Sequence, residues 1–139
     1  MIINDLKAYR AKQLELEMLE EKVERLNAQR ERITSVLDQA GGVKSSVKND
    51  KLLRDLVKLI DLESEINDIL LYQAEEFVKL NKAIEILNPN EQIIIRLYYF
   101  EGLKWKEVAK KTYYSEVSCW RIQTKSLEKL NNIFESERK

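Results

Sequence analysis

Residues 85–130 read EILNPNEQIIIRLYYFEGLKWKEVAKKTYYSEVSCWRIQTKSLEKL. Asn88-Pro89-Asn90-Glu91 is a helix start with a mechanism. Asn88 caps, Pro89 fits the first turn where no N–H is needed, and Glu91 completes a capping box. The spacing predicts a helix from Pro89 to about Phe100, stopped by Glu101-Gly102. A second helix runs from about Lys104 to Lys111, with Trp105, Val108 and Ala109 facing inward. After the turn Thr112-Tyr113-Tyr114, Ser115 caps a third helix. Its inner side carries Val117 or Cys119, Ile122, Ser126, Leu127 and Leu130. Two helices joined by three or four residues, with a small residue (Ala109) at their crossing, are the helix-turn-helix layout. Crossing helices approach within about 8–10 Å, which a bulky side chain there would prevent.

Upstream the periodicity changes. Residues 4–40 show apolar positions at 3-4 spacing (Leu16, Leu19, Val23, Leu26, Ile33, Leu37, Ala40), broken at Arg30. Glu, Lys, Arg and Gln between them are good helix formers. The narrow seam is that of a coiled coil, and Gly41-Gly42 ends it. Residues 43–50 are a polar connector. A second helix from about Lys51 to Leu87 has the seam Leu52, Leu56, Leu59, Glu63, Ile66, Leu70, Gln73, Phe77, Leu80, Ile84 and Leu87. The expected architecture is all-α: a long antiparallel helical hairpin (1–87), an oligomerising coiled coil, followed by a helix-turn-helix domain (88–139). A thin hairpin buries little, so a homodimer or higher homo-oligomer is expected.

Composition narrows the function. Charged residues make up 35% of 139, split 24 to 24, and histidine is absent. No His removes the commonest general base and metal ligand. One cysteine excludes an internal disulfide and a Cys-rich zinc site. There is no P-loop, nucleophile elbow or metal motif, so an enzyme, a metal site and a cofactor are not expected. No apolar run approaches the roughly 20 residues of a membrane span, and MIINDLKAYR has no signal-peptide core. A protein of a reducing compartment, the bacterial cytoplasm, is expected. The charge is uneven: residues 1–88 hold 14 basic against 17 acidic side chains, and residues 89–139 hold 10 against 7. An anionic partner would dock on the C-terminal third.

The 85–130 segment resembles region 4 of bacterial sigma factors. The resemblance rests on the proline-led helix ending in LYYFEGL, the EVA element and the serine-capped helix ending in KSLEKL. With Trp105 before the EVA element, it is also similar to phage late-transcription regulators of the RinA and ArpU type. These join a charged helical N-terminal part to such a domain. The resemblance implies sequence-specific binding of double-stranded DNA and activation of a phage or prophage operon. Unlike a sigma factor, the chain has no aromatic-rich promoter-melting domain. It is therefore expected to leave melting to host RNA polymerase, itself a possible partner.

Matched position by position, the sigma-like pattern implies base-reading slots at Glu116, Val117, Ser118 and Arg121. Arg121 suits a bidentate contact to guanine and Glu116 an acceptor role to cytosine. Gln123 and Lys125 are placed on the DNA backbone. Phosphate contacts are expected from Lys104, Lys106, Lys110, Lys111 and Ser115. Lysines on a helix are as readily a solvated face, and Trp105 suits the core better than base stacking. Trp120 is open: DNA sugar, polymerase, or a fold back on Tyr113 or Tyr114. Residues 103–129 carry net +4, so one domain alone would bind weakly and two held together would supply affinity by avidity. The competing readings are a small terminase-like packaging subunit and an adaptor whose helix-turn-helix binds protein.

Overall fold

The two long apolar patterns form two long helices. In a computed structural model α1 spans Ile2–Gln39 and α2 spans Ser46–Ile84. They are followed by α3 (Pro89–Ile95), which runs into a π-helical turn (Arg96–Phe100), then α4 (Trp105–Thr112) and α5 (Glu116–Glu137). The structure describes residues 2–39 and 46–137, with side chains at 2–32 and 50–134. Among the described residues there is no strand, and the chain is all-α. The Gly41-Gly42 stop lies outside the described residues. The polar connector is shorter than expected, because Ser46–Asp50 is already helical.

The chain divides into two compact units, and the boundary is not at Asn88. One unit is residues 15–70. The other joins residues 1–14 to residues 71–139. The expected division into 1–87 and 88–139 is corrected by burial. Leu6 and Tyr9 of α1 and Leu80, Ile84 and Leu87 share one core with Ile95, Tyr99 and Leu130. The three C-terminal helices cannot cover Ile95, Tyr99 and Leu130 by themselves, and segments of both long helices complete the core. Phe100 extends it with an edge contact to Tyr9 (5.1 Å) and a tilted one to Phe77 (5.2 Å), as expected of Tyr98-Tyr99-Phe100 packing on the long helices.

A second cluster in the same unit holds Ile94, Val108 and Cys119, with Leu97, Leu103, Trp105, Ala109 and Ile122 around it. Cys119 is fully buried, a small apolar filler. Arg10 of α1 fastens the loop before α4. Its Nη2 donates to Leu103 O at 3.2 Å, and its guanidinium lies 4.1 Å from the Tyr98 ring centre. Tyr98 in turn stacks on Trp105 at 3.9 Å and 8°. Trp105 is thus packing, half-buried against Tyr98.

The π turn changes the phase of α3 and lets the helix stop where expected. Glu101 N–H bonds back to Arg96 O and Leu103 N–H to Leu97 O. Gly102 supplies φ +72°, and a Cβ there would come within 3.3 Å of Gln13 Cγ. The left-handed backbone favours glycine, and an added Cβ would need the Gln13 side chain to give by a few tenths of an ångström. Buried Tyr99 donates its hydroxyl to Gln123 Oε1 at 3.0 Å. Burial, reinforced by neighbouring Tyr98 and partly offset by Arg10, pushes its phenol up to about 12.

In the unit of residues 15–70, Leu16, Leu19 and Ile69 are buried together, with Leu62 and Ile66 beside them. The buried face of α2 differs from the expected seam. Asp55, Leu59 and Ile69 are buried, whereas Leu56, Glu63 and Leu70 are exposed. Leu59 and Ile66 belong to both patterns, and the face turned by one residue in between. No helix among the described residues is long and apolar enough to cross a membrane.

Candidate nucleic-acid interface

Local chemistry positions α4 and α5. At the start of α3, Asn88 Oδ1 accepts from Glu91 N–H (3.0 Å) and the Glu91 carboxylate accepts from Asn88 N–H (3.2 Å), a full capping box. The same carboxylate is 5% exposed and reaches α5, accepting from Ser126 Oγ (3.1 Å) and Lys129 Nζ (2.8 Å). Burial alone would raise its pKa. The hydrogen bonds from Lys129, Asn88 and Ser126 and the Lys129 charge outweigh that and hold it below the ordinary carboxylate value. Glu91 thereby fixes α5 against the start of α3.

At the start of α4 the Glu107 carboxylate accepts from Lys104 N–H (3.3 Å). At its end Tyr113 takes φ +64°, and its N–H bonds to Ala109 O. Thr112 Oγ1 bonds Val108 O at 2.8 Å and touches Cys119 Sγ at 3.5 Å, tying the turn to α5. Ser115 caps α5 as expected, with Oγ accepting from Ser118 N–H (3.1 Å) and donating to Ser118 Oγ (2.9 Å).

No protein family model, curated protein or solved structure matches this chain. The surface chemistry therefore stands by itself.

Nine of the eleven expected contact residues are exposed: Lys104, Lys106, Lys110, Lys111, Ser115, Glu116, Val117, Arg121 and Lys125. Ser118 is half-buried and engaged with Ser115. Gln123 is the correction. It is 8% exposed, accepts the Tyr99 hydroxyl and donates to Thr124 Oγ1. A DNA backbone contact would require breaking that buried pair, so Gln123 is a core residue that holds α5 on the π turn. Val117 also turns outward, 58% exposed, which leaves Cys119 as the inner residue.

Two cations in the basic count are paired. Lys129 is bound to Glu91, and Lys111 lies 3.9 Å from Glu101. The positive face is thinner than net +4 implies. Three aromatics are more prominent than the sequence indicated: Tyr113 at 95%, Trp120 at 53% and Tyr114 at 39% exposure. Trp120 leaves its ring in solvent, and its carbonyl accepts from Thr124 Oγ1 at 2.8 Å. The signal for Tyr113 was its place after Thr112, at a helix end that needs a left-handed residue. Among the described residues no group of His, Cys, Asp and Glu is arranged to hold a metal ion.

Proposed function

We propose that this protein is a sequence-specific double-stranded DNA-binding regulator that activates phage or prophage transcription in the bacterial cytoplasm. In this reading α4, the Tyr113–Ser115 turn and α5 are a helix-turn-helix. The long helices form an antiparallel hairpin that brings copies together. The observation that carries the reading is the outer face of α5. Its serine-capped first turns present Val117, Arg121 and Lys125 to solvent, and Lys104, Lys106 and Lys110 before and along α4 are exposed as well. Such a face offers a fork for a guanine edge and cations for the flanking phosphates. The reading assigns no catalytic step and no cofactor.

Titration of labelled duplex DNA at two or more salt concentrations tests it. With about five phosphates neutralised, log K should fall against log salt with a slope near −4 to −5. Arg121→Ala should cost about 1–3 kcal/mol on the preferred site and relax selectivity at one base pair, whereas Lys106→Ala should weaken all sequences alike. A footprint that is unchanged in Arg121→Ala refutes the recognition-helix assignment.

A second reading has its own support. The exposed Tyr113 and Trp120 rings are the kind of aromatic anchors that protein interfaces favour, and polymerase is the partner expected there. A salt-independent or absent DNA signal, with binding to polymerase lost in Trp120→Ala, favours it. A packaging subunit would instead assemble as a ring of many chains, which light scattering distinguishes.

A further inference from the structure

The outward face of α2 carries a second apolar repeat that nothing in the chain covers among the described residues. Leu53, Val57, Ile60, Leu71 and Val78 are between 51% and 64% exposed. With exposed Ser64, Asn67 and Ala74 between them, they follow an unbroken 4-3 spacing along one continuous helix. That is the heptad signature of a coiled-coil seam. At about 100° per residue it lies roughly 150° around α2 from the buried stripe through Asp55, Leu59, Leu62, Ile66 and Ile69. The flanking positions Leu56, Leu70 and Phe77 are also exposed, at 38–46%. Scattered apolar residues need no explanation, but an apolar repeat kept up through successive 4-3 positions does.

We infer that this stripe is a self-association seam in which α2 packs antiparallel on α2 of a second copy, about a two-fold axis between Glu65 and Ile66. The occupant follows from self-complementarity. In that register Leu53 meets Val78 of the other copy, Val57 meets Ala74, Ile60 meets Leu71, and Ser64 meets Asn67. The two polar layers find each other and every apolar layer finds an apolar one. Along one edge Leu56 lies by Phe77 of the second copy. Along the other, Arg54 faces Glu75, and Asp61 faces Asp68 at the solvated rim. A slip of one heptad would set Asn67 against Leu71 and bury an unpaired amide. A parallel pairing would carry as many like-charge contacts, with Glu63 against Asp68, but would offer Arg54 no carboxylate in place of Glu75. The antiparallel register is isologous, so it closes as a dimer.

The inference deepens the oligomerisation half of the proposed function and does not depend on DNA binding. Sedimentation of the full chain without DNA tests it. The chain of 16.5 kDa is expected to run at twice that mass at tens of micromolar. Ile60→Asp, an exposed position whose substitution leaves the fold's own core untouched, should return it to single-chain mass with unchanged helical circular dichroism. Orientation is read by crosslinking. A mixture of Val57→Cys and Ala74→Cys chains should form a disulfide between them, and Val57→Cys alone should not. A monomeric full chain, a dimer that survives Ile60→Asp, or self-crosslinking of Val57→Cys overturns the inference. A monomer that still binds DNA selectively sinks this inference alone. A dimer that binds no DNA sinks only the DNA-binding reading.

Discussion

Replacing Glu91 separates charge from geometry at the joint between α3 and α5. Its carboxylate, 5% exposed, accepts from Asn88 N–H, Ser126 Oγ and Lys129 Nζ. Losing half of a capping box costs about 1 kcal/mol. Ser126 loses little, because its hydroxyl also reaches Ile122 O at 2.7 Å and keeps that acceptor. The pair with Lys129, whose side chain is 55% exposed, contributes at most about 1 after screening. Glu91→Ala should therefore destabilise by about 1–2 kcal/mol. Glu91→Gln keeps an acceptor for Asn88, so it should lose only about 1 kcal/mol, mostly the pair with Lys129. The pH dependence gives a sharper check. The folded carboxyl titrates below its unfolded value, so its contribution is complete above about pH 4.3 and fades as pH falls through the folded pKa. Urea unfolding at pH 7 and at successive steps below pH 4.5 measures this. Wild type should lose its advantage over Glu91→Gln on acidification. A gap that stays constant, or widens, down to pH 3 refutes the ionised-carboxylate account.

Gln123→Leu should destabilise by about 1–3 kcal/mol, because it leaves the buried Tyr99 hydroxyl unpaired. Duplex affinity measured well below the melting temperature should stay unchanged, and a uniform loss of DNA binding in a fully folded variant would restore Gln123 to the interface. Tyr113→Gly should stabilise by about 0.5–1 kcal/mol, since the left-handed backbone costs tyrosine about 1–2 kcal/mol and glycine's added unfolded-state freedom returns part of that. The side chain, 95% exposed, loses no packing. A lower midpoint in thermal unfolding would count against strain at the turn.

The features that were legible in the sequence are those decided within one turn of chain. The Asn88–Glu91 capping box, the helix stop at Glu101-Gly102 and the Ser115 cap all follow from neighbours three residues apart or fewer. Gln123 was misread because its partner, Tyr99, is 24 residues away and lies on a π turn that no local pattern announces. The core contribution of Leu6 and Tyr9 was hidden for the same reason, since their partners, from Leu80 onward, lie far along the chain. On α2 the difficulty was the opposite one. Apolar residues occur on more than one face, and two overlapping 3-4 series compete for the buried side. Only tertiary packing chooses between them.

Gathering one core from both extremes of the polypeptide has a consequence for biosynthesis. Leu6 and Tyr9 leave the ribosome long before Tyr99 and Leu130, the groups they are buried with. Their apolar faces must wait, solvated, until those distant partners are made. Contacts so far apart in sequence slow folding, and this core cannot close before Leu130 has been made. A chain stalled before Leu130 would hold Leu6 and Tyr9 without the groups that cover them.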